Sequence, residues 1–301
     1  MSFDAIRIAV AASALGDDPR QTPRQAHQLG FQGLQFDAYT ASLEIPTLSG
    51  SGRREFRLML SSADQQLAGF RADLGPKGLG LGADVDRILS RLDSALEAAA
   101  ALSSPLVCVE LGPLPAPARE NKPKPRVTPE QAGLLILPTS RATEPTVEPA
   151  GPPPDPAFVS QVDAALNELG RRADRYSVMV AFRSDLASLA ALDRAVRAAA
   201  CPWFGIDLDP VSILRDEWDA DEAFSRLGSF IRHVRGRDAV AGADRRTRPS
   251  VIGAGGTDWG KLLANLDAAD YHGWISVDPM ELTDRIGGAS AGRKALLAAM
   301  V

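Results

Sequence analysis

Two carboxylates directly follow short apolar runs, a position from which a side chain can do acid–base chemistry. Glu110 follows the run Leu106–Val109, and Asp37 follows the run at residues 33–36. If these runs are parallel strands, both carboxylates lie at the carboxyl edge of the sheet, where a proton can pass to or from a bound substrate. We predict Glu110 as a catalytic residue and Asp37 as a substrate-binding residue. A purely structural role is the alternative for each.

Basic residues follow a later apolar run. Arg237 and Asp238 come just after it, and the segment behind them holds Arg245, Arg246 and Arg248. Guanidinium groups at the carboxyl face of a sheet can hold phosphate or carboxylate groups. Arg237 and Asp238 are therefore predicted to bind substrate, whereas ordinary solvated surface is the alternative for the three loop arginines.

Three further features bear on the site. Residues 253–256 are rich in glycine and offer backbone amides to an anion, or form a flexible lead into the next helix. Trp218 is predicted as a substrate-binding residue that lines the mouth and stacks on a ring of the ligand, and packing in the core is the alternative. Ser212 has no histidine and aspartate at the spacing of a nucleophilic triad, so the sequence gives little support to covalent catalysis.

The composition is that of an ordinary globular protein. The chain has 301 residues, of which 45% are hydrophobic and 24% charged, and its net charge of −5 argues against a nucleic-acid partner. Its two cysteines make no disulfide framework, and Cys108 is predicted to be a small buried hydrophobe. With no apolar stretch long enough for a membrane span and no basic segment before the first apolar run, we expect a cytoplasmic protein without a membrane partner.

Short apolar runs alternate with segments of helical periodicity along the chain. Eight runs have strand character, from residues 6–11 to Trp274–Val277, and the clearest helix begins at Asp84. This alternation predicts an α/β fold with a parallel sheet, and eight strands favour a closed (β/α)₈ barrel, a TIM barrel. No glycine-rich phosphate loop follows the first run, which argues against an open nucleotide-binding sheet.

Proline marks one long interruption of this pattern. More than half of the 22 prolines lie in residues 113–156, which excludes a continuous helix or a central strand there. We therefore predict one barrel domain over residues 1–301, with residues 113–156 as a long Pro-rich loop inserted after strand four. Partial disorder is the alternative for this segment.

Several segments, in order, resemble one family of barrels. Residues 29–36 resemble its "lGfdgvEl" motif, residues 204–210 its "vgl.lDp.H" motif and residues 233–238 its "HvHlKD" motif. Residues 253–259 with 271–278 are similar to its "GeGdvdw…gYdGwlsvE" motif, the most specific of the four. Together they resemble the xylose isomerase-like barrels, a family that includes sugar-phosphate isomerases and epimerases.

The resemblance implies a divalent cation, such as Mn, Mg, Zn or Co, at the carboxyl-terminal mouth of the barrel. Two glutamates, an aspartate and a histidine would hold it, and two carboxylates would move a proton at the neighbouring carbon. This chain keeps the aspartate as Asp209 and shortens the last glutamate to Asp278, and both are predicted to be catalytic. Arg183 stands at or next to the first glutamate position, and Arg235 replaces the ligating histidine.

Two cations at ligand positions argue against the family's metal, because a guanidinium group repels a divalent ion and cannot ligate it. We therefore predict no metal cofactor. Arg183 and Arg235 are expected to fill the cation's place, paired with Asp209 and Asp278, and to bind substrate; a buried ion network that only closes the mouth is the alternative. His233 is grouped with the substrate-binding residues, as a packed or hydrogen-bonded side chain rather than a catalyst.

Two functions follow from these features. The first is an isomerase- or epimerase-like protein that acts on or binds a carbohydrate-like substrate without the usual metal. The second is a non-catalytic barrel that binds a sugar-like or anionic molecule, or a protein partner through the Pro-rich loop.

Overall fold

The computed structural model describes residues 6–115, 154–184, 188–242 and 246–300. The strands are β1 (Arg7–Ala11), β2 (Gly33–Asp37), β3 (Gln66–Ala72), β4 (Leu106–Val109), β5 (Met179–Arg183), β6 (Phe204–Leu208), β7 (Ile231–Gly236), β8 (Asp238–Ala241), β9 (Thr247–Ser250) and β10 (Trp274–Val277). Eight of them, β1 to β7 and β10, are parallel and close into a barrel in which β1 pairs with both β2 and β10. The predicted TIM barrel is confirmed.

Helices surround the barrel and connect its strands. They are α1 (Thr22–Gln28), α2 (Gly50–Ser61), α3 (Val85–Ala101), α4 (Pro156–Tyr176), α5 (Leu189–Ala198), α6 (Pro210–Arg215), α7 (Ala220–Leu227), α8 (Trp259–Ala268) and α9 (Arg285–Ala299). Aspartates begin several of them: Asp84 accepts a hydrogen bond from the backbone N–H of Arg87, and Asp258 accepts one from that of Lys261. No helix among the described ranges is long and apolar enough to cross a membrane.

The structure contains two elements that the sequence analysis did not predict. They are helix α6, which begins at Pro210, and the antiparallel β8–β9 hairpin, which contains Pro249. A proline is tolerated at the first turn of a helix and in a two-stranded ribbon. Helix α8 is capped by Asp258, which directly precedes its first residue, Trp259. Most of the predicted Pro-rich loop, residues 116–153, lies outside the described residues.

The amino-terminal end of the barrel is closed by an aromatic side chain. Trp274 is 2% exposed, and the Arg7 guanidinium lies 4.2 Å from the centre of its ring. A Cβ atom on Gly33 would lie 2.7 Å from the carbonyl oxygen of Gln66 and 2.9 Å from the Trp274 ring. Glycine is therefore required at this position of β2, because the indole occupies the space that a side chain would need.

A bulge in β3 decides which of its side chains point into the barrel. Gln35 on β2 lies opposite Gly69, whereas the preceding β2 residue lies opposite Leu67, so Ala68 is an extra residue. Ala68 packs in the barrel interior, and so does Arg71, three positions later. Residues three apart in a regular strand point to opposite faces. The bulge therefore turns Arg71 into the barrel.

Candidate functional site

Charged side chains meet at the carboxyl-terminal ends of the barrel strands. Four arginines and five carboxylates form ion pairs there, and we call them the mouth cluster. They are Arg71, Arg183, Arg235 and Arg237 with Asp37, Glu110, Asp209, Asp278 and Glu281. Among the residues that the structure describes, this cluster carries no surplus positive charge.

Arg71 joins four parts of the barrel wall. Its Nε and Nη2 atoms donate to the two carboxylate oxygens of Asp37 at 2.7 and 2.9 Å, a bidentate pair. Its Nη1 atom donates to Asp278 Oδ2 at 2.7 Å, and Nη2 also donates to the Ser13 hydroxyl at 3.0 Å. Sequence reasoning missed Arg71, although it stands at the carboxyl end of an apolar run like the residues that were identified.

Arg235 lies between the two aspartates that the sequence placed at the metal position. Its Nε atom donates to Asp278 Oδ2 at 2.8 Å, and its Nη1 atom lies 3.5 Å from Asp209 Oδ2. Burial by itself would raise the pKa of Asp278, but Arg235 and Arg71 outweigh it and hold that pKa well below its ordinary value. Asp278 is therefore a stable anion and a poor proton acceptor.

The other two arginines of the mouth cluster have different partners. Arg183 was expected beside Asp209 and Asp278, but its Nη1 atom lies 3.2 Å from Glu110 Oε2. β5 lies between β4 and β6 in the barrel, and the Arg183 side chain pairs with the carboxylate that follows β4. Arg237 donates to Asp209 at 2.5 Å and to Glu281 at 2.5 Å. Glu281 lies beyond the end of β10, and no sequence pattern distinguishes it.

A second polar group lies deeper in the barrel, and we call it the core cluster. Its members are Gln35, Cys108, Asp207, His233 and Ser276, all between 0 and 1% exposed. His233 Nδ1 lies 2.6 Å from Asp207 Oδ1, and His233 Nε2 lies 2.7 Å from the Ser276 hydroxyl. The sequence analysis grouped His233 with the substrate-binding residues as a packed or hydrogen-bonded side chain, and in the structure it is fully buried below the mouth cluster.

The core cluster is continuous with the barrel charges above it. Gln35 Nε2 donates to Cys108 Sγ at 3.3 Å across the barrel, from β2 to β4. Burial raises the pKa of the Cys108 thiol well above its ordinary value, and Asp207 adds to this effect. Burial also works against ionisation of Asp207, but His233, Arg183 and Arg235 lower its pKa overall. Asp207 is thus a buried anion that the sequence analysis did not identify.

Asp238 has a structural environment. Its carboxylate accepts hydrogen bonds from the backbone N–H groups of Ala239, Gly253, Gly255 and Thr257 and from the Trp259 indole. A Cβ on Gly255 would lie 2.2 Å from this carboxylate, which explains the glycine there. The glycine-rich segment does cradle an anion, as its sequence suggested, but the anion is Asp238 itself. These contacts occupy the carboxylate, so Asp238 has no free acceptor for a substrate.

Removing this carboxylate is expected to destabilise the loop and the protein. Asp238→Ala should lower the free energy of unfolding by about 2 kcal/mol, because hydrogen bonds to a charged group are lost and buried donors are left unpaired. Urea denaturation measures this change. The matched variant Asp267→Ala, on the exposed face of α8, should stay within about 0.5 kcal/mol of wild type. Equal stability of the two variants would contradict this role of Asp238.

The remaining predicted ligand contacts lie away from the mouth cluster. Trp218, between α6 and α7, is half-buried against the hydrophobic core, and its backbone N–H donates to the Ile213 carbonyl at 3.0 Å. Arg246 and Arg248 are exposed at the β8–β9 hairpin. Arg245 lies outside the described residues. The positions of Arg246 and Arg248 agree with ordinary solvated surface.

A cavity of about 220 Å³ adjoins the mouth cluster. It lies over the ends of β1 and β2, and Ser13 and Asp37, both hydrogen-bonded to Arg71, form part of its wall. Asp17, Thr40 and neighbouring hydroxyl and apolar side chains line the rest. The cavity therefore offers carboxylate and hydroxyl groups beside an apolar surface, and no lysine or arginine in the described part of the chain lines it directly.

The mouth residues do not fit the divalent cation that the sequence resemblance implies. Asp278 Oδ2 accepts hydrogen bonds from the guanidinium groups of Arg71 and Arg235. Asp209 Oδ2 is paired with Arg235 and Arg237. A guanidinium group has no lone pair for a metal and repels its charge. The atoms that would ligate a cation are thus engaged by arginine.

The fold is that of a TIM barrel with a cluster of charged side chains at its carboxyl-terminal mouth. A family model described as xylose isomerase-like TIM barrel matches residues 23–298. The chain therefore belongs to that family, as its motifs indicated. A search of curated proteins found no match.

Several known structures share this fold at low sequence identity. A D-psicose 3-epimerase from Clostridium cellulolyticum H10, solved with D-tagatose, has a TM-score of 0.69 and 13% identity, with 98% of this chain and 99% of that chain covered. A xylose isomerase domain protein from Planctomyces limnophilus has a TM-score of 0.68 and 14% identity, with 98% and 96% covered. A xylose isomerase-like protein from Mycobacterium smegmatis, in complex with magnesium, has a TM-score of 0.68 and 13% identity, with the same coverage.

Proposed function

We propose that this protein is an isomerase- or epimerase-like barrel that binds a carbohydrate-like molecule at its mouth without a divalent cation. The observation that carries the proposal is the engagement of Asp209 and Asp278 by Arg235, with Arg71 as a second partner of Asp278. In this arrangement, guanidinium groups supply the positive charge that a cation would otherwise supply. Family members such as the D-psicose 3-epimerase support a sugar-like ligand.

The cavity beside Arg71 is where we place this ligand. Its volume of about 220 Å³ is below the usual range for drug-sized ligands, which suits a small molecule. Arg71 holds Asp37 through both carboxylate oxygens, so Asp37 has a fixed orientation toward the cavity. Fixed acceptors and hydroxyl groups beside apolar carbon are the groups that recognise a sugar ring.

The charges favour a neutral, hydroxyl-rich ligand over a phosphorylated one. The cavity wall includes the carboxylates of Asp17 and Asp37, and the nearby Arg71 is already engaged by Asp37, Asp278 and Ser13. These carboxylates would repel an anionic ligand, and the described residues of the mouth cluster carry no surplus positive charge to offset that repulsion. A sugar hydroxyl, in contrast, can donate to them.

Both catalysis and binding without catalysis are consistent with the family. Different carboxylates of the mouth cluster bear on each of these two functions. Asp37 and Glu110 keep side chains that are 25% exposed, so they remain candidates for moving a proton. Asp278, which is 1% exposed and strongly acidic, does not suit that task. Non-catalytic binding is thus the second candidate function, and it is favoured by the loss of Asp278 as a base.

A thermal-shift screen tests ligand binding. A neutral sugar at about 100 times its Kd is expected to stabilise the protein by about 2.7 kcal/mol, which raises Tm by several degrees, and a chelator should not reduce this shift. Asp37→Asn should lose most of the shift because it removes the fixed acceptor, whereas the matched exposed variant Asp86→Asn should keep it. Circular dichroism of both variants checks that they are folded.

Two results would count against the proposal. A shift that a chelator abolishes would show that the ligand needs a metal. A shift by sugar phosphates but by no neutral sugar would overturn the ligand class. Deuterium incorporation into a bound sugar in heavy water, followed by NMR, distinguishes the two candidates, because only a proton-transferring enzyme exchanges a carbon-bound hydrogen with solvent.

A further inference from the structure

The core cluster is unusual for the interior of a barrel. Inward-facing layers of TIM barrels consist mainly of bulky branched apolar side chains. Here one layer holds Gln35, Cys108, Asp207, His233 and Ser276, all fully buried. Buried polar groups cost free energy unless each one is satisfied, and the Gln35 Oε1 atom has no hydrogen-bond partner among the residues that the structure describes.

We propose that Cys108, Asp207, His233 and Gln35 form a structural site for one zinc-class ion inside the barrel. The site shares no residue with the mouth cluster, and it does not rest on the ligand proposed above. Ligand atoms of Cys108, Asp207 and His233 all lie within 4.8 Å of one another. Thiolate sulfur, imidazole nitrogen and carboxylate oxygen are the three donors that zinc takes in proteins.

The fourth ligand is the side-chain oxygen of Gln35. The Gln35 amide end lies 3.3 Å from Cys108 Sγ, close to the roughly 3.4–3.8 Å that separates two ligands of a tetrahedral zinc ion. The amide nitrogen and oxygen exchange places by a half-turn of the amide group. That turn brings the unpartnered oxygen to the ion and moves the nitrogen away from the sulfur.

His233 already has the second contact that metal-bound histidines need. Its Nδ1 atom faces Asp207, and its Nε2 atom lies 2.7 Å from the Ser276 hydroxyl. Coordination through Nδ1 places the ring proton on Nε2, which then donates to Ser276 and fixes the ring. The Asp207–His233 separation of 2.6 Å has to widen by roughly 0.7 Å to reach the spacing of two ligands on one ion.

The charges balance when the ion is bound. The Cys108 thiol releases its proton to solvent, the sulfur bonds to the ion, and the thiolate and the Asp207 carboxylate together neutralise the two positive charges. His233 and Gln35 bind as neutral groups. Four protein ligands leave no open position, so the ion has a structural role, and it enters while the chain folds because the site is closed in the folded barrel.

Refolding with cobalt tests the site, because a cobalt–thiolate bond has a charge-transfer absorption band in the near ultraviolet. The chain, unfolded in denaturant with a chelator and then refolded with Co²⁺, is expected to bind one equivalent and show this band. Cys108→Ala should lose both the band and the bound metal. The matched variant Cys201→Ala, at the only other cysteine, should keep both.

The outcomes separate this site from the mouth cluster. Absence of the band in refolded wild type, its retention in Cys108→Ala or its loss in Cys201→Ala would overturn the proposal. Cobalt bound without the band would indicate an oxygen-rich site such as the mouth carboxylates, which contradicts this proposal and, separately, the metal-free mouth. If Cys108→Ala does not fold, X-ray absorption of zinc-loaded wild type decides: one sulfur at about 2.3 Å supports the site, and a shell without sulfur overturns it.

Discussion

Arg235→Met is expected to lower the free energy of unfolding by about 3 kcal/mol, because removing one partner of a buried ion network leaves charge without compensation. The Arg235 side chain is 10% exposed, and its partners Asp209 and Asp278 are each 1% exposed. Methionine keeps most of the side-chain volume, so the decrease in the free energy of unfolding results mainly from removal of the charge. Urea denaturation at neutral pH measures the change.

Two further variants test whether the destabilisation comes from the coupled mouth cluster. Arg87→Met, at a side chain that is 79% exposed, should change the free energy of unfolding by less than about 0.5 kcal/mol. The double variant Arg235→Met with Asp278→Leu should lose less than the two single changes added together, since their ion pair is already broken in each. Additive losses, or an Arg235→Met variant as stable as wild type, would contradict a coupled mouth cluster.

Acid is expected to destabilise the protein strongly through its buried aspartates. Asp278 and Asp207 both have pKa values below the ordinary 3.8 in the folded state. A group with a lowered pKa contributes its stability in full above the ordinary pKa and loses it as the pH falls toward the folded-state value. The free energy of unfolding should therefore be nearly constant from pH 7 to about pH 5 and fall steeply below about pH 4.

Urea denaturation across this pH range, at constant ionic strength, checks the expectation. The Asp278→Asn variant should be less stable than wild type at neutral pH. It should also lose less stability than wild type on acidification, because it lacks the Asp278 carboxyl group, whose protonation destabilises the wild-type protein. Glu168→Gln is the matched control: the pKa of Glu168 is also lowered, by Arg172 and Arg171, but the pair lies at the surface, so the steep acid dependence should remain. A stability curve that stays flat down to pH 3 would contradict the prediction.

The sequence placed part of the mouth cluster correctly and missed another part for identifiable reasons. Asp37, Glu110, Asp209, Asp278 and the arginines of β5 and β7 stand at strand ends, which a run of apolar residues reveals. Arg71 also ends such a run, but regular alternation would point it outward. Only the bulge at Gly69 turns it into the barrel, and a bulge leaves little trace in the sequence.

For two other residues the sequence did not reveal which partners the side chain meets, because those partners lie in other segments of the chain. Asp238 follows β7 next to Arg237, and the sequence grouped the two together. In the structure Asp238 binds backbone N–H groups 15 to 19 positions later in the chain, as far as Thr257. His233 was likewise grouped with the ligand contacts, but the barrel closes over it and pairs it with Asp207 and Ser276.

The sequence by itself determined the barrel, because apolar periodicity and helix caps are local properties that survive without knowledge of the rest of the chain. The motif resemblance, which is read from the sequence, also predicted that Arg183 and Arg235 stand at or next to metal-ligand positions of the family. The tertiary structure decided which arginine meets which carboxylate, and how deep each polar side chain lies. Those choices depend on strand register and on closure of the sheet, where a shift of one residue moves a side chain from one face to the other.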